Sequence, residues 1–113
     1  MRVLYVEDSA DDADLTRHTL ARLAPEIKLD VVDRVATAMA YLAQNDGEVP
    51  AYDVVLLDLR LPDGDGLAVL DHIRRHALPL AVVVLTGVGN EEIAVSALRA
   101  GADDYLAKRD DYL

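Results

Sequence analysis

Five short apolar runs, set apart by four segments of helical periodicity, constrain this chain more than any other feature. The runs are Val3 to Val6, Leu29 to Val32, Val54 to Leu57, Leu80 to Leu85 and Tyr105 to Ala107. Three of them are continuously apolar and rich in β-branched residues, the pattern of strands buried on both faces. Strand and helix alternating in this way imply a parallel sheet with right-handed crossovers and helices on both faces.

The helical segments have recognisable ends. The first begins after Ser9, where Ser9 and Asp12 match a capping pattern, and Pro25 follows it. Leu15, Leu20 and Leu23 are expected to form its apolar side. The second has Val35, Met39 and Leu42 at helical spacing and is expected to stop near Asn45-Asp46-Gly47. The third has Leu67, Leu70 and Ile73, with Pro79 beyond it. The fourth starts near Asn90, with Glu91 and Glu92 in the turn where the helix dipole favours anions. Ile93, Ala97 and Leu98 are expected to face inward, and Gly101 to supply a left-handed residue at its end.

At 113 residues, 52% of them hydrophobic, the chain makes one domain with a sizeable core. It contains no cysteine, so disulfides and thiolate metal sites are excluded. Acidic residues interrupt the first apolar run too early for a signal peptide, and no stretch approaches the ~20 apolar residues of a membrane helix. A cytoplasmic location without membrane insertion is therefore expected. The formal net charge of −10 disfavours direct nucleic acid binding and favours a cationic partner or a divalent metal. Asp110-Asp111-Tyr112-Leu113 closes the sequence where a fifth helix would cover the sheet, so a chain cut from a longer protein is expected.

Open parallel sheets bind ligands beyond the carboxyl ends of their strands. Glu7 and Asp8 follow the first run, Asp58 follows the third, Thr86 follows Leu85 at the end of the fourth, and Lys108 follows the fifth. If the strand order is 2-1-3-4-5, adopted by analogy, these groups converge and Asp33 and Arg34 lie apart. Clustered carboxylates repel one another, and a hard divalent cation such as Mg²⁺ or Mn²⁺ relieves the conflict. An Asp beside the cation can act as a nucleophile toward phosphorus. Taken singly, each acidic residue reads as a helix cap and Thr86 as ordinary strand composition; their joint placement at strand ends favours a site.

With these residues in view, the sequence resembles receiver domains of two-component response regulators. The resemblance rests on Glu7-Asp8, on the segment Asp58-Leu59-Arg60-Leu61-Pro62-Asp63-Gly64-Asp65-Gly66, on Thr86-Gly87, and on Gly101-Ala102-Asp103-Asp104-Tyr105-Leu106-Ala107-Lys108. It implies a flavodoxin-like, doubly wound α/β fold. It further implies that Asp58 accepts a phosphoryl group from a histidine kinase or a histidine phosphotransfer protein. Asp8, Asp58 and the backbone carbonyl of Arg60 would ligate Mg²⁺, with Glu7 acting through a water. Lys108 and Thr86 would bind phosphoryl oxygens, and Tyr105 would follow Thr86 when the domain switches. The segment Glu7-Asp8-Ser9-Ala10-Asp11-Asp12-Ala13 and the ending Lys108-Arg109-Asp110 are most similar to stand-alone or hybrid-kinase receivers. Arg109 stands where the family often has proline, which puts the usual cis bond there in doubt. In the family the positions of Arg60 and Val88 border the phosphoryl group, so the resemblance implies that Arg60 contacts it and slows attack by water.

Two other functions compete. An aspartyl-phosphate phosphatase or phosphotransferase of the haloacid dehalogenase type would want a second Asp two residues after the nucleophile, where this chain has Arg60. A flavodoxin-like cofactor binder would want a hydroxyl- and glycine-rich loop after the first strand, where Glu7-Asp8-Ser9-Ala10-Asp11-Asp12 would repel a phosphate. A receiver domain, by the resemblance, is not expected to be an enzyme in isolation. His72 and His76 share a helix face but have no evident third ligand for zinc.

Overall fold

The computed structural model describes residues 1–43, 52–87 and 90–108. The expected end of the second helix, Val88 and Arg109 fall outside the described residues. The elements run β1 (Arg2–Val6), α1 (Ala10–Leu23), β2 (Lys28–Val32), α2 (Val35–Leu42), β3 (Val54–Asp58), β4 (Arg60–Leu61), β5 (Gly64–Asp65), α3 (Leu67–Arg75), β6 (Ala81–Gly87), α4 (Glu91–Arg99) and β7 (Asp104–Lys108). All five apolar runs form strands, and these make one parallel sheet in the order β2-β1-β3-β6-β7. That is the expected 2-1-3-4-5 order of the main strands. Four helices flank the sheet among the described residues.

The small antiparallel hairpin of β4 and β5 was not expected from the sequence. Its four residues offer no alternating pattern long enough to read. Gly66, which follows it, turns the chain back against β3: a Cβ there would lie 2.5 Å from the Asp58 carbonyl oxygen, so only glycine fits.

Side chains alternate across the sheet and build two apolar layers. Leu4, Val6, Leu57, Val82 and Val84 meet Leu42 of α2 and Leu70 and Ile73 of α3 on one face. Tyr5 and Leu85 meet Ala13 of α1 on the other. Removing each such large side chain from water contributes on the order of 1.5–3 kcal/mol, which fixes register as well as stability.

Ser9 caps α1 as expected, its hydroxyl accepting the Asp12 N–H at 3.2 Å. The inward face of α1 differs from expectation. Ala13, Thr16 and Thr19 are buried, while Leu15 and Leu23 are exposed. Small side chains let the helix lie close over the bulky ring of Tyr5. On α4 the buried residues are Ala94 and Ala97, whereas Ile93 and Leu98 stand at its margins, each 37% exposed. Gly101 does take positive φ, 113°, after the end of α4. No described helix is long and apolar enough to cross a membrane.

Candidate functional site

The parallel register carries the ends of β1, β3 and β6 to one edge. Val6 pairs with Leu57, so Glu7 and Asp58 follow in step on neighbouring strands, and Asp58 pairs with Leu85 of β6. Glu7 continues the β1–β2 ladder by donating its N–H to the Val32 carbonyl at 2.9 Å. Carboxylate oxygens of Glu7, Asp8 and Asp58 then lie within 4.8 Å of one another. They border a cleft of about 350 Å³ that Arg60, Thr86 and Asn90 also line.

The three carboxylates are held differently. Glu7 is buried, 2% exposed, with one oxygen accepting the Tyr5 hydroxyl at 3.1 Å and the other the Ser9 N–H at 3.2 Å. Asp58 is half-buried, and its Oδ1 accepts the Arg60 N–H at 3.0 Å. Asp8 is exposed. Three carboxylates this close repel one another, and a cation among them would relieve that repulsion. The oxygen-only donor set suits a hard cation of the Mg²⁺ or Mn²⁺ kind.

Thr86 is buried near the end of β6, 6% exposed, and reaches the same cleft. Tyr105 lies on β7 opposite Val84, and Thr86 lies opposite Ala107. Residues two apart along a strand share a face, so Thr86 and Tyr105 project from the same side of the sheet. Tyr105 is 37% exposed. The backbone of Lys108 pairs opposite Gly87, at the cleft end of β7; its side chain falls outside the description. The rings of His72 on α3 and His76 just past its end are tilted against each other with centroids 4.3 Å apart, and His76 Nδ1 is spent on the His72 carbonyl at 2.9 Å. Asp33 and Arg34 pair with each other away from the cleft.

Three participants were missed in the sequence. Tyr5 and Thr16 form a buried hydroxyl relay to Glu7, with Thr16 3.5 Å from the Tyr5 oxygen. The position of Tyr5 two residues before Glu7 was the available signal, because it puts both on one face of the strand. Asn90, read only as a helix start, makes no side-chain cap hydrogen bond and lies against Gly87 at the cleft.

A sequence profile described as the response regulator receiver domain matches residues 3–112. The photosynthetic apparatus regulatory protein RegA of Rhodobacter capsulatus is 39% identical over 109 residues, covering 96% of this chain and 55% of the relative. The chain thus spans about half the length of that relative, and less of some others. Among solved structures, the phosphorylated cyanobacterial phytochrome response regulator RcpA superposes with a TM-score of 0.84 at 32% identity, over 98% of this chain and 82% of the other. The Mn(2+)-bound form of response regulator Rcp1 gives 0.83 at 34% identity, over 97% and 82%.

Proposed function

This chain belongs to the response regulator receiver domain family of two-component systems, and we propose that Asp58 is its phosphoacceptor and that Glu7, Asp8 and Asp58 hold the divalent cation that supports the reaction. The observation behind this reading is the convergence of those three carboxylates within 4.8 Å at the mouth of one cleft. A cation held there would supply positive charge to offset that of the carboxylates and of the incoming phosphoryl oxygens. The metal-bound and phosphorylated relatives make both expectations reasonable for this chain.

In the proposed reaction an oxygen of Asp58 attacks the phosphorus of a phosphohistidine. The P–N bond breaks, its electron pair returns to the imidazole nitrogen, and an acyl phosphate forms on Asp58. The hydrogen bond from the Arg60 N–H to Asp58 Oδ1 holds the carboxylate plane in place for this attack. The Thr86 hydroxyl and the Lys108 ammonium are the donors for phosphoryl oxygens; the Arg60 carbonyl would join Asp8 and Asp58 as a third direct ligand for the cation, with Glu7 acting through a water. Once Thr86 engages the phosphoryl group, Tyr105 follows on the same side of the sheet, and the α4–β7 face changes for a downstream partner. The donor is a histidine kinase or a histidine phosphotransfer protein. The domain assists its own phosphorylation and dephosphorylation without being an enzyme for other substrates.

A small phosphoramidate, whose P–N bond mimics phosphohistidine, tests this reading. With Mg²⁺ it should add one phosphoryl group to the wild type and none to Asp58→Asn. Equal modification of both would refute the assignment.

A further inference from the structure

We propose that Tyr5 is a positioning residue for the carboxylate of Glu7, and through it for cation binding; this rests on the reading that Glu7, Asp8 and Asp58 hold a divalent ion. Tyr5 is fully buried on an interior strand of the sheet, among Ala13 and Leu85. Strand composition and packing alone would be met there by an aliphatic residue or phenylalanine. A buried hydroxyl is costly unless partnered, so its placement demands specific neighbours. Those neighbours are Glu7, whose Oε2 accepts the phenol proton at 3.1 Å, and Thr16 of α1, 3.5 Å from the phenol oxygen.

The result is a directed chain. Thr16 donates to the Tyr5 oxygen, which leaves the phenol proton for Glu7. The Ser9 N–H takes the other Glu7 oxygen at 3.2 Å. Glu7 is therefore held from the strand below and from the loop above, so the carboxylate plane is set before any ion arrives. The tyrosine ring adds rigidity, since only two side-chain torsions position it and packing fixes both. Hydrogen bonds of this kind to a ligand-bearing carboxylate tune metal affinity without touching the metal.

Mn²⁺ titration of the metal-free protein, followed by the paramagnetic signal of the free ion, tests the idea in a double-mutant cycle of Tyr5→Phe and Glu7→Asp. Tyr5→Phe removes only the hydroxyl, and Glu7→Asp keeps the charge while drawing it back from the phenol. With Glu7 present, Tyr5→Phe should weaken Mn²⁺ binding roughly 3- to 10-fold. With Asp at position 7 the same change should have an effect within about twofold. Equal affinity of wild type and Tyr5→Phe would overturn the proposal. So would the same loss in both backgrounds, because the tyrosine would then act through the fold. A wild type that takes up no Mn²⁺ would remove the metal-site reading itself, and this proposal with it.

Discussion

The carboxylate of Asp63 caps a helix far from it in the chain: its two oxygens accept the N–H groups of Val35 at 2.7 Å and Ala36 at 3.0 Å, at the start of α2. Arg34, the residue in the cap position, makes no side-chain cap bond of its own. The β4–β5 turn therefore closes the open end of α2 and ties it to the loop that follows Asp58.

The Ala36 N–H, then the Val35 N–H, hold the Asp63 carboxyl below its ordinary value. A group lowered in the native state contributes stability that is present above the unfolded carboxyl range. That contribution is lost as pH falls through the native value. Asp63→Ala should accordingly melt at a lower temperature than wild type at pH 7, and the gap should close below about pH 4. Thermal melts by circular dichroism across that range check this. A gap independent of pH would contradict the cap.

Ala77 sits just past the end of α3 with φ of +49°, a conformation that costs an alanine more than a glycine. It is exposed, so a change there disturbs no packing. Ala77→Gly should leave stability unchanged or raise it by up to about 1 kcal/mol, against the usual penalty of removing a side chain. Urea denaturation measures the difference.

Arg74 fastens α3 to the segment that leads into β7. Its Nε donates to the Gly101 carbonyl at 2.8 Å and its terminal nitrogen to Asp103 at 2.8 Å. Asp103 also accepts the Val82 N–H at 2.8 Å. The pair is partly solvated, so its ionic share is small, and the contact with the carbonyl dominates. Arg74→Ala should cost about 1–2 kcal/mol in urea denaturation. A larger loss for Asp103→Asn than for Arg74→Ala would reverse that ranking.

Arg60 is exposed at the cleft margin, two residues after Asp58. If its side chain shields the phosphoryl group from water, Arg60→Asn should speed loss of phosphate roughly 2- to 10-fold, the range that 0.4–1.4 kcal/mol of barrier gives. Following the phosphoform by mass over time decides it, and equal or slower loss in the variant would reject the shielding role.

Much of this was legible in the sequence because it depends on local pattern. Five apolar runs with helical segments between them admit few arrangements, and acidic residues just after the first and third runs meet at one edge once the strand order, adopted by analogy, is 2-1-3-4-5. The failures were of another kind. Helical spacing assigns Leu15 and Leu23 to the inner side of α1, yet small residues pack there, since the ring of Tyr5 already fills the space. The same spacing points Ile93 and Leu98 inward on α4, where Ala94 and Ala97 make the close contact. The hydrogen bonds from Val35 and Ala36 to Asp63 join residues almost thirty positions apart, and no periodicity announces such a pair. The Tyr5–Glu7 contact was within reach, because a two-residue step along a strand fixes a shared face.

The central claim is that Asp58 alone is phosphorylated, and only with the cation in place. Incubation with acetyl phosphate, with and without Mg²⁺, followed by borohydride reduction and peptide mass mapping, tests it most directly. Reduction of the acyl phosphate should convert Asp58 to homoserine in the Mg²⁺ sample and nowhere else. Label on another residue, or the same yield on Asp58 when Mg²⁺ is withheld, would contradict it.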